Sequence, residues 1–311
     1  MTLQQLQYIV ALDTHRHFVK AAESCFVAQP TLTLQVKKLE DELGVILFDR
    51  TAQPLKPTVM GIEFIERARE VLRSVDALKE MVSQEKEILS GKIRLGIIPT
   101  LAPYLLPLFV KDFKQDFPQL QLMVKEMQSE EIIGALKKDA LDIGVMVTPI
   151  EDSSIREIVL FYEPFLVYTS EQSALYKKKT VTAQDIKLKE LWLLNQGHCF
   201  RNQVLNLCNS HKHKSSDEHF LFESGSIETL KNLVKKNYGY TLIPELAVQE
   251  GIDEHFIRVF KEPVPAREVS LVTHHSFSRK LLLQRLSDKI VEVVPEKFKK
   301  SKKFMKVNWR S

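Results

Sequence analysis

Ala21-Ala22-Glu23-Ser24-Cys25-Phe26-Val27-Ala28-Gln29-Pro30-Thr31-Leu32-Thr33 is an apolar-faced stretch that breaks at a turn and restarts at a proline. Phe18, Ala21, Ala22 and Cys25 recur at helical spacing, with alanines small enough to let another helix come close. Proline lacks the N–H that a first helical turn leaves unpaired anyway, so Pro30 opens a further helix. That helix carries Leu32, Val36, Leu39 and Leu43 on one face, and Gly44 closes it. Two short helices joined by a tight turn describe a helix-turn-helix. Gln29, Pro30, Thr31, Thr33, Gln35 and Lys37 front the second helix. Their amides, hydroxyls and lysine suit base edges and phosphates. Cys25 falls on the apolar side and reads as core.

Upstream, Leu3, Leu6, Ile9 and Val10 give another helical face, ended by His15-Arg16-His17. Downstream, residues 45–58, with Arg50, supply a wing. Residues 1–60 hold six basic and six acidic side chains, so a DNA-binding reading rests on the outward helix face and not on bulk charge. Phe64, Ala68, Val71, Val75, Leu78 and Val82 alternate steps of four and three, a heptad seam that fits pairing of two chains.

From Lys92 onward strands and helices alternate. Residues 93–98, 120–126 and 141–147 read as strands, and residues 105–117 and 130–136 as helices. A second such unit begins near Phe165, and residues 269–272 with the helix 280–293 return to the first. The fold class is therefore α/β, with a mostly parallel sheet expected. The domains expected are a winged helix-turn-helix over 1–60, a dimerising linker helix over 61–90, and a two-lobed α/β domain over 91–296. Lobe I takes about 91–164 and 268–296, and lobe II about 165–267. The basic tail, 297–311, completes the chain. From Glu296 to the end it carries a net +6, leaving −2 for the rest of a chain whose total is +4. Charge of that density reads as a solvated, disordered tail.

The chemistry concentrates in Gly197-His198-Cys199-Phe200-Arg201-Asn202-Gln203. The apolar block 191–194 precedes it, Gly197 breaks that block, and Phe200, Val204 and Leu207 then recur at helical steps. Cys199 sits in a first turn, where free N–H groups and the helix dipole favour an anion. His198 and Arg201 add positive charge nearby, so easier ionisation of the thiol is expected. Cys208 lies nine residues on. In a helix the two Cα atoms stand roughly 13 Å apart, whereas a disulfide needs them within about 7 Å. Bonding them requires the helix to unwind, as a redox switch would; two buried thiols that never meet fit the same residues. Thr100, Ser129 and His198 each follow an expected strand, where open α/β sheets bind ligands. Helix capping is the competing role for Thr100 and Ser129.

Three cysteines among 311 residues exclude a disulfide-built fold, and no signal peptide or membrane-length apolar run is visible. A reducing cytoplasm is expected. No cofactor or metal site is expected: Cys199, Cys208, His211 and His213 lack paired-ligand spacing, and 211–214 reads as a solvated loop.

Residues 21–33, with Lys37-Lys38-Leu39-Glu40-Asp41-Glu42-Leu43-Gly44 and Leu47-Phe48-Asp49-Arg50, resemble the DNA-binding region of LysR-type transcriptional regulators over about residues 3–62. Leu34 stands where many members carry a basic residue. The resemblance implies dimers built on the linker helix, assembly into tetramers, and effector domains similar to periplasmic binding proteins. It implies double-stranded promoter DNA and RNA polymerase as partners, and no membrane. Within the family, residues 197–203 with Cys208, Ile98-Pro99-Thr100, residues 104–107, 228–230 and 242–244 resemble the OxyR-type hydrogen peroxide sensors. That likeness implies Cys199 as the peroxide-attacking thiol and Cys208 as the resolving one, with reduction by cellular thiols. It implies a peroxide pocket of Thr100, Ser129, Gly197, His198, Arg201, Asn202 and Arg267, Asn202 standing where those sensors usually carry Asp. The competing readings are a LysR-type regulator driven by a small metabolite, and a thiol peroxidase.

Overall fold

The computed structural model describes residues 1–84, 89–208, 224–236, 239–300 and 303–310. The chain forms two compact units, an N-terminal one and a larger regulatory one.

In the N-terminal unit, α1 (Leu3–His15) starts at a capping box between Thr2 and Gln5 and ends at Arg16 in the left-handed region. Helices α2 (Phe18–Ser24) and α3 (Gln29–Leu43) follow, with Gly44 closing α3. Ile9, Leu12, Ala21, Leu32, Val36 and Leu39 make one core, and Cys25 packs against it as the sequence suggests. The wing is two short antiparallel strands, β1 (Phe48–Asp49) and β2 (Lys56–Pro57). A Cβ on Gly61 would stand 2.0 Å from the Leu47 carbonyl oxygen, so only glycine lets the next helix approach the wing this closely. That helix is α4 (Val59–Gln84). Ile65 and Ala68 are buried at its start and Phe64 is packed on the core, but Ile62, Val71, Leu78 and Met81 are exposed. Asp13 accepts from Arg69 Nη2 at 2.8 Å, tying α1 to α4.

In the regulatory unit, β3 (Gly91–Ile97), α5 (Ala102–Asp116), β4 (Leu120–Glu126), α6 (Ser129–Lys137) and β5 (Ile143–Thr148) build the first lobe. Strand β6 (Ile155–Thr169) is long enough to serve both lobes. Its first part pairs with the returning strand, and residues 165–169 pair in the second lobe. The second lobe continues with β7 (Thr180–Val181), β8 (Leu191–Trp192), α7 (Cys199–Leu207), α8 (Ile227–Lys235), β9 (Tyr240–Pro244) and β10 (Ile257–Phe260). Strand β11 (Val264–His274) returns to the first lobe, followed by α9 (Lys280–Val293) and β12 (Phe304–Lys306). Each lobe buries its own apolar face: Leu95, Val145, Phe109 and Leu271 in the first, Phe165, Phe200, Val204 and Ile243 in the second.

Two expectations need correction. The sheet is mixed, not mostly parallel: β3 pairs in parallel with β4 and β5, but β11 runs antiparallel to both β5 and β6. The crossover strands that join the lobes must reverse direction, and nothing in a single strand's residues encodes that. Among its described residues the tail is not a solvated, disordered run. Phe298, Val307 and Trp309 are buried, Phe298 stacks 6.1 Å from Phe161, and β12 pairs in parallel with β11. Lys297, Lys300, Lys303 and Lys306 are exposed, while Phe298, Val307 and Trp309 supply the buried side. His211 and His213, weighed as metal ligands, lie outside the described residues.

Candidate redox site and nucleic-acid interface

The thiol pocket is assembled from both lobes. Thr100 follows β3, Ser129 opens α6, Cys199 opens α7, and Arg267 lies within β11. All four are at least 97% buried. Arg267 is the organising charge. Its Nε donates to Glu163 Oε2 at 2.8 Å and Nη2 stands 2.7 Å from the same carboxylate. Nη1 donates to Thr100 Oγ1 at 2.8 Å, and Nη2 reaches the Thr100 carbonyl at 3.1 Å. Glu163 also accepts from the Leu246 N–H, so a completely buried ion pair is hydrogen-bonded on both sides. The guanidinium lies 5.5 Å from the ring centroid of Phe200, the second residue of α7. Phe200 in turn packs edge-on against Phe165 at 5.0 Å.

Neither hydroxyl is spent on helix capping. Thr100 Oγ1 accepts from Arg267, which leaves its own O–H to donate into the pocket. Ser129 Oγ is buried, has no conventional partner among the described residues, and faces the Cys199 thiol. Burial pushes the Cys199 thiol above its ordinary value. The Arg267 charge, the Ser129 hydroxyl and the backbone N–H groups of Phe200 and Cys199 pull it back only in part. Easier ionisation was expected from the helix N-terminus; desolvation outweighs it. The cations foreseen nearby do not supply the charge either. His198, the N-cap of α7, is buried, and that burial lowers its pKa, so it is neutral at neutral pH. Arg201 Nη1 donates to the Leu194 carbonyl at 2.9 Å, and Asn202 is exposed on α7.

Gly197 has φ +95, and a Cβ there would meet the Gln128 amide at 2.3 Å. Glycine thus lets the chain turn tightly into α7 against the segment that leads to Ser129. At the other end, Cys208 is the C-cap of α7, half-buried, with its thiol pushed up to about 11 by burial. Both cysteines are free thiols. Glu163 was missed from sequence. An acid inside the apolar run 158–168 was the signal that could have found it, because a buried carboxylate demands a cation.

On α3, the outward face carries Gln29, Pro30, Thr31, Lys37 and Lys38, all exposed. Thr33 Oγ1 donates to the Gln29 carbonyl, and Gln5 Nε2 donates to Gln35 Oε1 at 3.3 Å, fixing that amide's orientation. Leu34 is exposed at the middle of this face. Arg50 in the wing pairs with Glu40 at 2.7 Å, so its charge is partly committed.

Residues 3–62 match the bacterial regulatory helix-turn-helix proteins of the lysR family, and residues 86–295 match the LysR substrate binding domain. The chain is 37% identical over 295 residues to a hydrogen peroxide-inducible genes activator of Dickeya chrysanthemi, covering 94% of this chain and 95% of that protein. It is 39% identical over 277 residues to the DNA-binding transcriptional dual regulator OxyR of Escherichia coli (strain K12), covering 88% of this chain and 89% of that one. A full-length OxyR variant from Pseudomonas aeruginosa is similar in structure at a TM-score of 0.80 and 33% identity, over 94% of this chain and 99% of that chain. With both of its units matched and its relatives aligned almost end to end, the chain belongs to the LysR family of bacterial transcriptional regulators.

Proposed function

We propose that this regulator senses hydrogen peroxide and is switched by a reversible disulfide between Cys199 and Cys208. One observation carries the reading. Cys199 meets Ser129 and the Arg267 charge among buried residues, while the whole of α7 separates it from Cys208. The relatives that are hydrogen peroxide-inducible genes activators support the peroxide part of the reading.

Peroxide enters beside Gly197 and His198 and is held by Thr100 and Ser129. The Cys199 thiolate gives an electron pair to one oxygen. A sulfur–oxygen bond forms, the oxygen–oxygen bond breaks, and the leaving oxygen takes up a proton to depart as water. Thr100, fixed as an acceptor toward Arg267, donates its own proton into that hydrogen-bond network. Arg267 offsets the negative charge passing from sulfur to oxygen. A sulfenic acid remains. While α7 is intact Cys208 cannot reach it, so the helix opens, Cys208 attacks the Cys199 sulfur, and a second water leaves. The disulfide holds the opened form because reclosing α7 would separate the sulfurs. Phe200 then loses its place between Arg267 and Phe165, which carries the change into the lobe core. Arg201, through Leu194, holds the segment leading into the pocket, and Asn202 lies on the face that opens.

The output is transcription of defence genes in the cytoplasm. The α3 face, Gln29, Pro30, Thr31, Thr33, Gln35 and Lys37 with Arg50 from the wing, reads double-stranded promoter DNA. Two copies pair through α4, two such dimers make a tetramer, and the DNA-bound assembly recruits RNA polymerase. Cellular thiol reductants restore the starting state.

Thiol counting before and after brief peroxide exposure tests the switch. The intact chain should lose two of its three thiols. Cys208→Ser should lose one and stall at a trappable sulfenic acid, and Cys199→Ser should lose none. A Cys199→Ser protein that still activates transcription on peroxide treatment would overturn the mechanism.

A further inference from the structure

We infer that the carboxyl-terminal segment 303–310 straps the reduced form of α7, so that Gln203 and Asn206 act as positioning residues that set how readily Cys208 reaches Cys199. This inference rests on the disulfide switch proposed above.

The strap touches three of the elements that carry the thiol pocket, β11, α6 and α7. Strand β12 pairs with β11 over Val264, Pro265 and Ala266, and the Val307 N–H donates to the Ala266 carbonyl at 2.9 Å, immediately before Arg267. Lys306 pairs with Glu268 at 2.6 Å, immediately after it. Arg310 pairs at 2.8 Å with Glu130, the residue that follows Ser129, and also donates to the Ile150 carbonyl. The Trp309 indole N–H donates to the Pro149 carbonyl at 2.9 Å. On the other side the strap holds α7 itself. Gln203 Nε2 donates to the Val307 carbonyl at 2.6 Å, and Asn206 Nδ2 donates to the Asn308 carbonyl at 2.9 Å. Gln203 is completely buried, and Val307 belongs to the lobe II core beside Phe200 and Val204.

These two bonds exist only while α7 is helical. Gln203 and Asn206 are three residues apart, which in a helix is about 4.5 Å of axial rise. The carbonyls they hold belong to consecutive residues, whose Cα atoms lie about 3.8 Å apart. The two spacings match. Extending the same three residues toward about 10 Å breaks the match, so opening α7 must release one amide or lift the strap. The hold is incomplete by construction. Gln203 Oε1 has no partner among the described residues, so half of that buried amide is unsatisfied and gains partners when it leaves.

The redox balance is that of the switch. Peroxide oxidises Cys199 to the sulfenic acid with loss of water. The Cys208 thiol then displaces hydroxide from the Cys199 sulfur, its proton joining that hydroxide as a second water. The strap acts only on this second step, because it leaves the pocket side chains in place while α7 stays closed.

The test uses the full chain carrying Gln203→Leu and Asn206→Leu, with Trp309→Phe as a second variant that deletes the indole N–H and keeps a smaller aromatic ring. Sulfenic acid formation is timed in the Cys208→Ser background, and disulfide formation in the chain with all its cysteines. Losing two hydrogen bonds should speed disulfide formation about tenfold and leave sulfenic acid formation unchanged. The same shift, read in a thiol–disulfide redox buffer, lowers the reduction potential by about 30 mV. Trp309→Phe should move both in the same direction by less. Sulfenic acid formation at the normal rate with an unaltered disulfide rate in both variants overturns the strap and leaves the switch standing. Absence of any Cys199 oxidation in the unsubstituted chain overturns the switch and the strap with it.

Discussion

At the scale of single residues, the central fact is that burial wins over charge at Cys199. The helix N-terminus, Ser129 and Arg267 all favour the thiolate, yet desolvation keeps the thiol protonated at neutral pH. The fraction of thiolate therefore grows about tenfold per pH unit through the neutral range. The rate of Cys199 oxidation by peroxide should follow it from pH 6 to pH 9 without a plateau; stopped-flow kinetics that level off below pH 8 would contradict the assignment. Cys208 gives a stability signature with a definite sign. Its thiol rises from 9.0 to about 11 in the folded state, so the fold holds that proton more tightly than the unfolded chain does. The contribution is fully present below pH 9 and is lost as pH climbs toward 11. Urea unfolding should show the intact chain losing more stability than Cys208→Ser across that window, by about 1 kcal/mol once solvent screening at the partly exposed thiol is allowed for.

At the scale of elements, some were legible and others were not, for physical reasons. Helices α3 and α7 could be read because each has a local stop or start signal beside a periodic face: Pro30 and Gly44 for the first, Gly197 for the second. The outward face of α3 gives a direct prediction. Lys37→Ala should weaken binding to all duplexes alike and reduce the slope of log K against log salt by about one, as loss of a phosphate contact does. Changes at Thr31 or Gln35 should instead alter sequence preference, measured by competition between duplexes. Unchanged binding after replacing all three would remove α3 as the reader. The thiol pocket was legible only in part. Thr100, Ser129 and His198 were each expected to follow a strand, with Cys199 beside them, so strand ends pointed to one crevice. The partner of Arg267 was not, because Glu163 lies 104 residues away in sequence and only strand pairing joins them. The tail was misread because a count of charges ignores Phe298, Val307 and Trp309, the apolar residues set between the charged ones, and these are what pack.

At the scale of the whole molecule, the Cys199 pocket and the helix-turn-helix lie in different units, so on the proposed function assembly should be separable from the peroxide chemistry. Helix α4 leaves Val71 45% and Leu78 63% exposed although both lie on the heptad seam. Apolar side chains repeated along one helix face in water call for a partner helix, and the second copy of the same chain is the partner the heptad spacing fits. Leu78→Glu places like charges across such a seam, so sedimentation at micromolar concentration should show the tetramer or dimer falling toward monomer. DNA affinity should fall with it, because one helix-turn-helix contacts one half-site and a linked pair gains from effective concentration. The peroxide rate at Cys199 should be unchanged in the same protein, since the Thr100, Ser129 and Arg267 contacts all lie within one chain's regulatory unit. A Leu78→Glu chain that remains dimeric would remove α4 as the pairing element. One that dissociates and also loses peroxide reactivity would show that the pocket depends on assembly, and the separation drawn between sensor and reader would have to be abandoned.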